Sequence, residues 1–143
     1  MERDHELENC DDSVPEFSLD GYLKQCKVVD VYDGDSIKVV FRHSGMLNKW
    51  TIRMAGYDAP ELRPRLNTPN RESVIESAKI SKEFLKSLVM NEPKQIVYIQ
   101  CGKMDKYGRL LGTVYINHED NISVNDLMIQ NRMGYEYYGG TKK

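Results

Sequence analysis

Between residues 20 and 60 the chain alternates short apolar runs with polar breaks. Residues 23–31 and 36–42 are rich in valine and isoleucine and are separated by Tyr32-Asp33-Gly34-Asp35; a polar stretch at 43–48 leads to a third run at 50–57. Runs of this length bounded by Asp and Gly predict strands, and three in succession predict an antiparallel meander. Pro60, Pro64 and Pro69 then make the next stretch a loop, because prolines so closely spaced can continue neither a strand ladder nor a helix interior. From residue 71 to 90 the period changes. Val74, Ile75, Ala78, Leu85, Leu88 and Val89 recur at helical spacing and predict an amphipathic helix, which Pro93 ends. Residues 95–100 and 110–116 predict another strand pair around a turn at 102–109, and Ser123-Val124-Asn125-Asp126 has the form of a capping box opening a second helix that runs to about Asn131. Asn131 or Gly134 is expected to supply the left-handed residue at its end.

The order βββαββα predicts an α+β, mainly β fold: a five-stranded OB-type β-barrel with a helix between strands 3 and 4 and a second helix after strand 5. The grooved face of such barrels often binds oligonucleotides, but the fold alone fixes no activity.

Composition changes this picture in one respect. The net charge of −2 is unevenly spread: residues 1–20 hold eight acids against Arg3, so the remainder is net positive by five. We expect 1–20 to be an acidic, disordered tail and 21–143 to be the domain, whose mild basic character is compatible with an anionic polymer. No apolar run is long enough to span a membrane and no secretory pattern opens the chain, so the expectation is a soluble, intracellular protein with no membrane partner. Cys10, Cys26 and Cys101 are odd in number and lack CxxC spacing, which indicates neither a disulfide framework nor a zinc site. His5, His43 and His118 fall in the tail and in predicted turns, away from any candidate site.

Acids and arginines concentrate where strands give way to loops. Three stretches stand out: Asp33-Gly34-Asp35-Ser36; Arg53 followed by Asp58-Ala59-Pro60-Glu61; and Asp105-Lys106-Tyr107-Gly108-Arg109. Each alone is an ordinary turn or loop sequence. Asp35 and Asp58 are hard oxygen donors that, with a carbonyl and waters, suit Ca²⁺ or Mg²⁺. Arg53 is an unusual charge in an apolar strand, whose alternative explanation is a buried ion pair.

Together and in this order, these stretches resemble the signature of the staphylococcal nuclease (thermonuclease) family, and the resemblance runs over roughly residues 22–138. It implies a metal-dependent nuclease hydrolysing phosphodiester bonds of DNA or RNA. The implied cofactor is Ca²⁺, with Mg²⁺ or Mn²⁺ as substitutes, held by Asp35, Asp58 and the backbone carbonyl of Ala59. Many family members carry threonine at the Ala59 position, which a main-chain contact tolerates. Glu61 would orient or deprotonate the attacking water, and Arg53 and Arg109 would clamp the phosphate as charge builds on it. Lys106 and Tyr107, with Tyr137 or Tyr138, would bind the substrate, a single-stranded DNA or RNA; Asp33 and Ser36 would support the metal ligand or cap the turn.

The resemblance breaks after Tyr138, where the family's type member continues into a third helix packed under its barrel. The tail, the Pro-rich loop or a second subunit would have to cover that surface, and a homodimer is the more testable of these expectations. The alternative to an enzyme is a non-catalytic nucleic-acid or protein-binding module on the same barrel. That class predicts a degraded site, whereas Asp35, Arg53, Asp58, Glu61 and Arg109 are all present.

Overall fold

The structure, a computed structural model, describes residues 1–137. Tyr138, named above as a substrate-binding candidate, lies outside the described residues. In chain order the elements are α1 (His5–Glu8), β1 (Leu23–Asp33), β2 (Ser36–His43), β3 (Met46–Met54), β4 (Tyr57–Asp58), α2 (Arg71–Val89), β5 (Val97–Met104), β6 (Leu110–Tyr115), α3 (Val124–Gln130) and β7 (Tyr135–Glu136).

The five long strands close a barrel in the order β1-β2-β3-β6-β5, while β4 and β7 form a separate two-stranded sheet. All barrel pairings are antiparallel except β3 with β6, which run parallel. This is the mainly β, OB-type barrel with interposed helix that the sequence predicts. Alternation explains the closure: Ile37 and Val39 of β2, Ile52 and Met54 of β3, Val97 and Ile99 of β5, and Leu110 and Val114 of β6 point inward and are fully buried, and their polar neighbours point out.

Three boundaries differ from expectation. The stretch 43–48 is no loop: β2 and β3 are joined by Ser44 and Gly45 alone, both at positive φ (51° and 81°), and pair out to His43 and Met46. Two positive φ values give a hairpin turn whose twist matches the strands, but serine is not one of the residues that announces it. Strand β3 stops at Met54 and not at 57, because Gly56 takes φ 89° and turns Tyr57–Asp58 away to pair with Tyr135–Glu136. At the end of α3 the left-handed residue is neither Asn131 nor Gly134 but Arg132 (φ 60°), with Met133 N–H reaching back to the Met128 carbonyl at 2.8 Å.

Helix α2 buries Ala78, Ser81, Leu85 and Val89 and packs on β1. Helix α3 opens on the expected capping box, the Ser123 hydroxyl accepting from Asp126 N–H at 3.0 Å. Asn125, 4% exposed, ties this helix to the barrel: its Oδ1 accepts from Val114 N–H at 2.9 Å, and its amide donates to the carbonyls of Ala55 (2.8 Å) and Gly112 (3.0 Å).

In the N-terminal segment, α1 is a single exposed turn capped by Asp4, whereas Leu19 is buried in the core and Phe17 meets the His43 ring edge-on. Nearby, Trp50 stacks on Phe41 with centroids 5.0 Å apart, and its buried indole N–H has no hydrogen-bond partner among the described residues. None of the described helices is long and apolar enough to cross a membrane.

Candidate functional site

The β1–β2 turn, the end of β3 and the segment after β4 meet at one rim of the barrel. In the turn, Asp33 Oδ1 accepts the backbone N–H of Asp35 at 3.0 Å, which fixes the Asp-Gly-Asp bend. Gly34 is obligatory there for lack of space: a Cβ would lie 2.0 Å from Ser81 Oγ of α2 and 2.7 Å from the Ala59 Cβ. The Gly34 carbonyl accepts the buried Tyr57 hydroxyl at 2.6 Å. Burial, with the Asp35 charge nearby, holds that hydroxyl well above the usual tyrosine range and therefore protonated.

So positioned, the Asp35 carboxylate faces three groups. Its Oδ2 accepts the Ala59 N–H at 2.8 Å and lies 3.4 Å from Arg53 Nη1, and its Oδ1 lies 3.4 Å from the Ser36 hydroxyl. Arg53 joins Asp35 to Asp58, since its Nη2 pairs with Asp58 Oδ1 while Nη1 donates to the carbonyls of Met54 (3.0 Å) and Tyr57 (2.9 Å). The Arg53 side chain is 12% exposed and that of Asp58 5%, so this is the buried ion pair that an arginine in an apolar strand suggests. It is also a guanidinium whose plane the backbone has already fixed.

Burial and the neighbouring Asp33 push the Asp35 carboxyl up to about 6, against the opposing pull of Arg53. The site thus holds more negative charge than its one arginine relieves. Among the described residues, no group of three His, Cys, Asp or Glu side chains gathers as a metal site.

Of the remaining candidates, Glu61 is exposed and borders a cavity together with Asp33. Lys106, Tyr107 and Arg109 form a turn of their own. Asp105 organises it by accepting the backbone N–H groups of Tyr107 and Arg109, both at 2.9 Å, and the Arg109 Nε at 2.7 Å. Partial burial works against the Asp105 charge, but these bonds outweigh it and hold the carboxyl below its usual range. Lys106 and Arg109 lie over the Tyr107 ring, 5.2 and 5.5 Å from its centroid. Arg109 is therefore paired within its own turn.

The β3–β6 register sets Leu111 opposite Arg53, and the two border an apolar cavity of about 270 Å³ whose other walls include Tyr57 and Tyr137. Tyr137 is held there by its N–H on the Gly56 carbonyl at 3.0 Å, while Tyr135 pairs with Asp58 in the small sheet and is largely exposed. Tyr57, Asp105 and Ser81 are the supporting residues that sequence reasoning did not single out. Asp105 lay inside a quoted motif, but nothing in the sequence distinguished the Tyr57 hydroxyl or the Ser81 contact from core filling.

The chain matches the model of the staphylococcal nuclease homologue family over residues 51–142. It is 31% identical over 111 residues to an uncharacterized endonuclease of Escherichia coli, covering 78% of this chain and 60% of that protein. It is 32% identical over 113 residues to endonuclease YncB of Bacillus subtilis, covering 77% of this chain and 48% of the relative. Protein MJ1439 of Methanocaldococcus jannaschii is 33% identical over 109 residues, which make up 67% of this chain and 50% of that protein. The chain thus spans about half the length of the curated relatives it matches, up to three-fifths for the E. coli protein.

Proposed function

The chain belongs to the staphylococcal nuclease homologue family, and from that membership and the geometry at the rim we propose that it is a divalent-metal-dependent nuclease hydrolysing phosphodiester bonds of DNA or RNA. The observation that carries this is Arg53, a backbone-fixed guanidinium held between the buried Asp58 and the largely buried Asp35 on the wall of a cavity.

The donor set fits a hard cation. Asp35 and Asp58 would hold it with the Ala59 carbonyl, and water and a substrate phosphate oxygen would complete the shell. The crowding that raises the Asp35 proton affinity is what a cation in this position would relieve. Ca²⁺ is the ion we favour, with Mg²⁺ or Mn²⁺ as substitutes. When bound it would supply Lewis-acid stabilisation of charge on the phosphate.

The chain's own groups account for the rest. Glu61 takes a proton from the attacking water as its oxygen bonds to phosphorus. The P–O5′ bond breaks in line, the departing 5′ oxygen gains a proton from solvent, and the 3′-phosphate remains on the other fragment. Arg53 needs no reorganisation to donate to the phosphate, since the carbonyls of Met54 and Tyr57 hold it in place. Arg109 must share its guanidinium between Asp105 and the substrate. Tyr137 and Leu111 receive the leaving nucleoside, with Lys106 and Tyr107 at the neighbouring turn.

The test is release of acid-soluble nucleotides from single-stranded DNA and from RNA, with Ca²⁺ or with chelator, for the natural protein and for Glu61→Ala and Arg109→Ala. We expect activity that needs metal and falls at least about a hundredfold in both variants. Products bearing 5′-phosphates would overturn the bond assignment. A protein that binds but never cuts with Ca²⁺, Mg²⁺ or Mn²⁺ would be a binding module instead.

A further inference from the structure

Two cavities flank the carboxylates and share no lining residue. The first is the apolar one beside Arg53 and Tyr137. The second, about 360 Å³, is bordered by Tyr32 and Asp33 at the end of β1, by Glu61 and Arg63 of the Pro-rich loop, and by Lys82 of α2. Core packing does not explain Tyr32: the residue is 60% exposed, although the adjacent Val31 is buried. Lys82 follows Ser81, the residue that wedges α2 against Gly34, and is half-buried where it borders this cavity.

A phosphodiester joins two nucleosides, and a phosphate at Arg53 must send them in different directions. Attack in line requires the water and the departing oxygen to lie on opposite sides of phosphorus. With Glu61 on the water's side, the departing nucleoside occupies the Arg53 cavity. The nucleoside that keeps the phosphate is left with the cavity that Glu61 itself borders.

We propose that this second cavity is a nucleoside subsite for the phosphate-retaining side of the cut, with the Tyr32 ring stacked on the base and Lys82 and Arg63 set toward the next phosphate along the strand. The proposal rests on the nuclease reading above. Asp30, Asp33 and Glu61 also border the space, so a bare anion gains little there. Recognition therefore falls to the ring and to cations at the outer wall. The exposed ring, open to stack on an unpaired base, favours a single strand.

The experiment compares thymidylyl-thymidine with the 5′-methylphosphate of thymidine, which keeps the departing nucleoside but puts a methyl group where the second nucleoside would sit. In Tyr32→Ala the ratio of kcat/KM for the two substrates is expected to fall roughly 5- to 150-fold, the range set by loss of one base stack, and Tyr32→Phe restores it. Lys82→Gln lowers the ratio only when the substrate extends by another phosphate. A second arm measures thymidylyl-thymidine binding by NMR line shifts with metal chelated. Weaker binding in Tyr32→Ala supports the subsite even if no condition yields turnover, in which case the nuclease reading alone fails. An unchanged substrate ratio together with unchanged binding overturns the subsite whether or not the protein cuts.

Discussion

Asp35 is held in the folded chain with its carboxyl up to about 6, against an ordinary value of 3.8 that the unfolded chain retains. Between those values the folded state binds more protons than the unfolded state, so stability falls as pH rises through about 4 to 6 and stays low above it. The loss amounts to something on the order of 3 kcal/mol at neutral pH. Urea denaturation in chelator should therefore show Asp35→Asn more stable than the natural protein at pH 7 and little different at pH 4; a less stable variant at pH 7 would refute the charge argument. If Ca²⁺ binds at Asp35 as proposed, it should raise the thermal midpoint of the natural protein and leave that of Asp35→Asn unchanged. Gly34 is the steric counterpart of this electrostatic feature. Its substitution by alanine drives a methyl group into Ser81 and Ala59, and we expect a loss of roughly 1–3 kcal/mol by thermal denaturation, with cleavage lost as the Asp35 loop is displaced.

Helix α3 ends on a non-glycine residue in left-handed conformation, a state that costs an L-residue about 1 kcal/mol or more. Arg132→Gly should therefore raise stability by up to about 1 kcal/mol in chemical denaturation, and a decrease would mean the exposed Arg132 side chain does more than cap. At the other end of the helix, Asn125→Ala takes their partner from the Val114 N–H and the Ala55 carbonyl and leaves the Gly112 carbonyl with the Ala55 N–H alone, and should cost roughly 3 kcal/mol. The contrast shows what was legible in the sequence. Periodicity gave the five strands, both long helices and their order, and spacing gave the Ser123 capping box, because these follow from neighbours a few residues apart. It gave Asp33, Asp35, Arg53 and Asp58 as candidates, with a buried ion pair only as the alternative explanation of Arg53. It missed the Ser44-Gly45 turn and Arg132, where unfavourable residues occupy positive φ. It also missed Asn125 and Tyr57, whose partners lie 11 to 70 residues away and leave no local pattern.

Closing the barrel requires Leu23 to meet Gln100 and Ile52 to meet Leu110, contacts between segments far apart in the chain. Such closure is slow relative to forming the β1–β2–β3 meander, whose strands are joined by two-residue turns. The N-terminal segment takes part through one residue: Leu19 is buried at 3% exposure, while residues before Phe17 stay at the surface. Removal of residues 1–15 should leave thermal stability within about 0.5 kcal/mol, whereas Leu19→Ala should cost about 2–4 kcal/mol. Equal effects would mean that the acidic segment itself holds the barrel. The stack of Trp50 on Phe41 offers a way to watch this closure. The chain has a single tryptophan, so its intrinsic fluorescence comes from one place, and an indole buried with its N–H unsolvated emits to the blue of one in water. Opening of the β2–β3 hairpin would thus be recorded as a red shift, without any label attached to the protein.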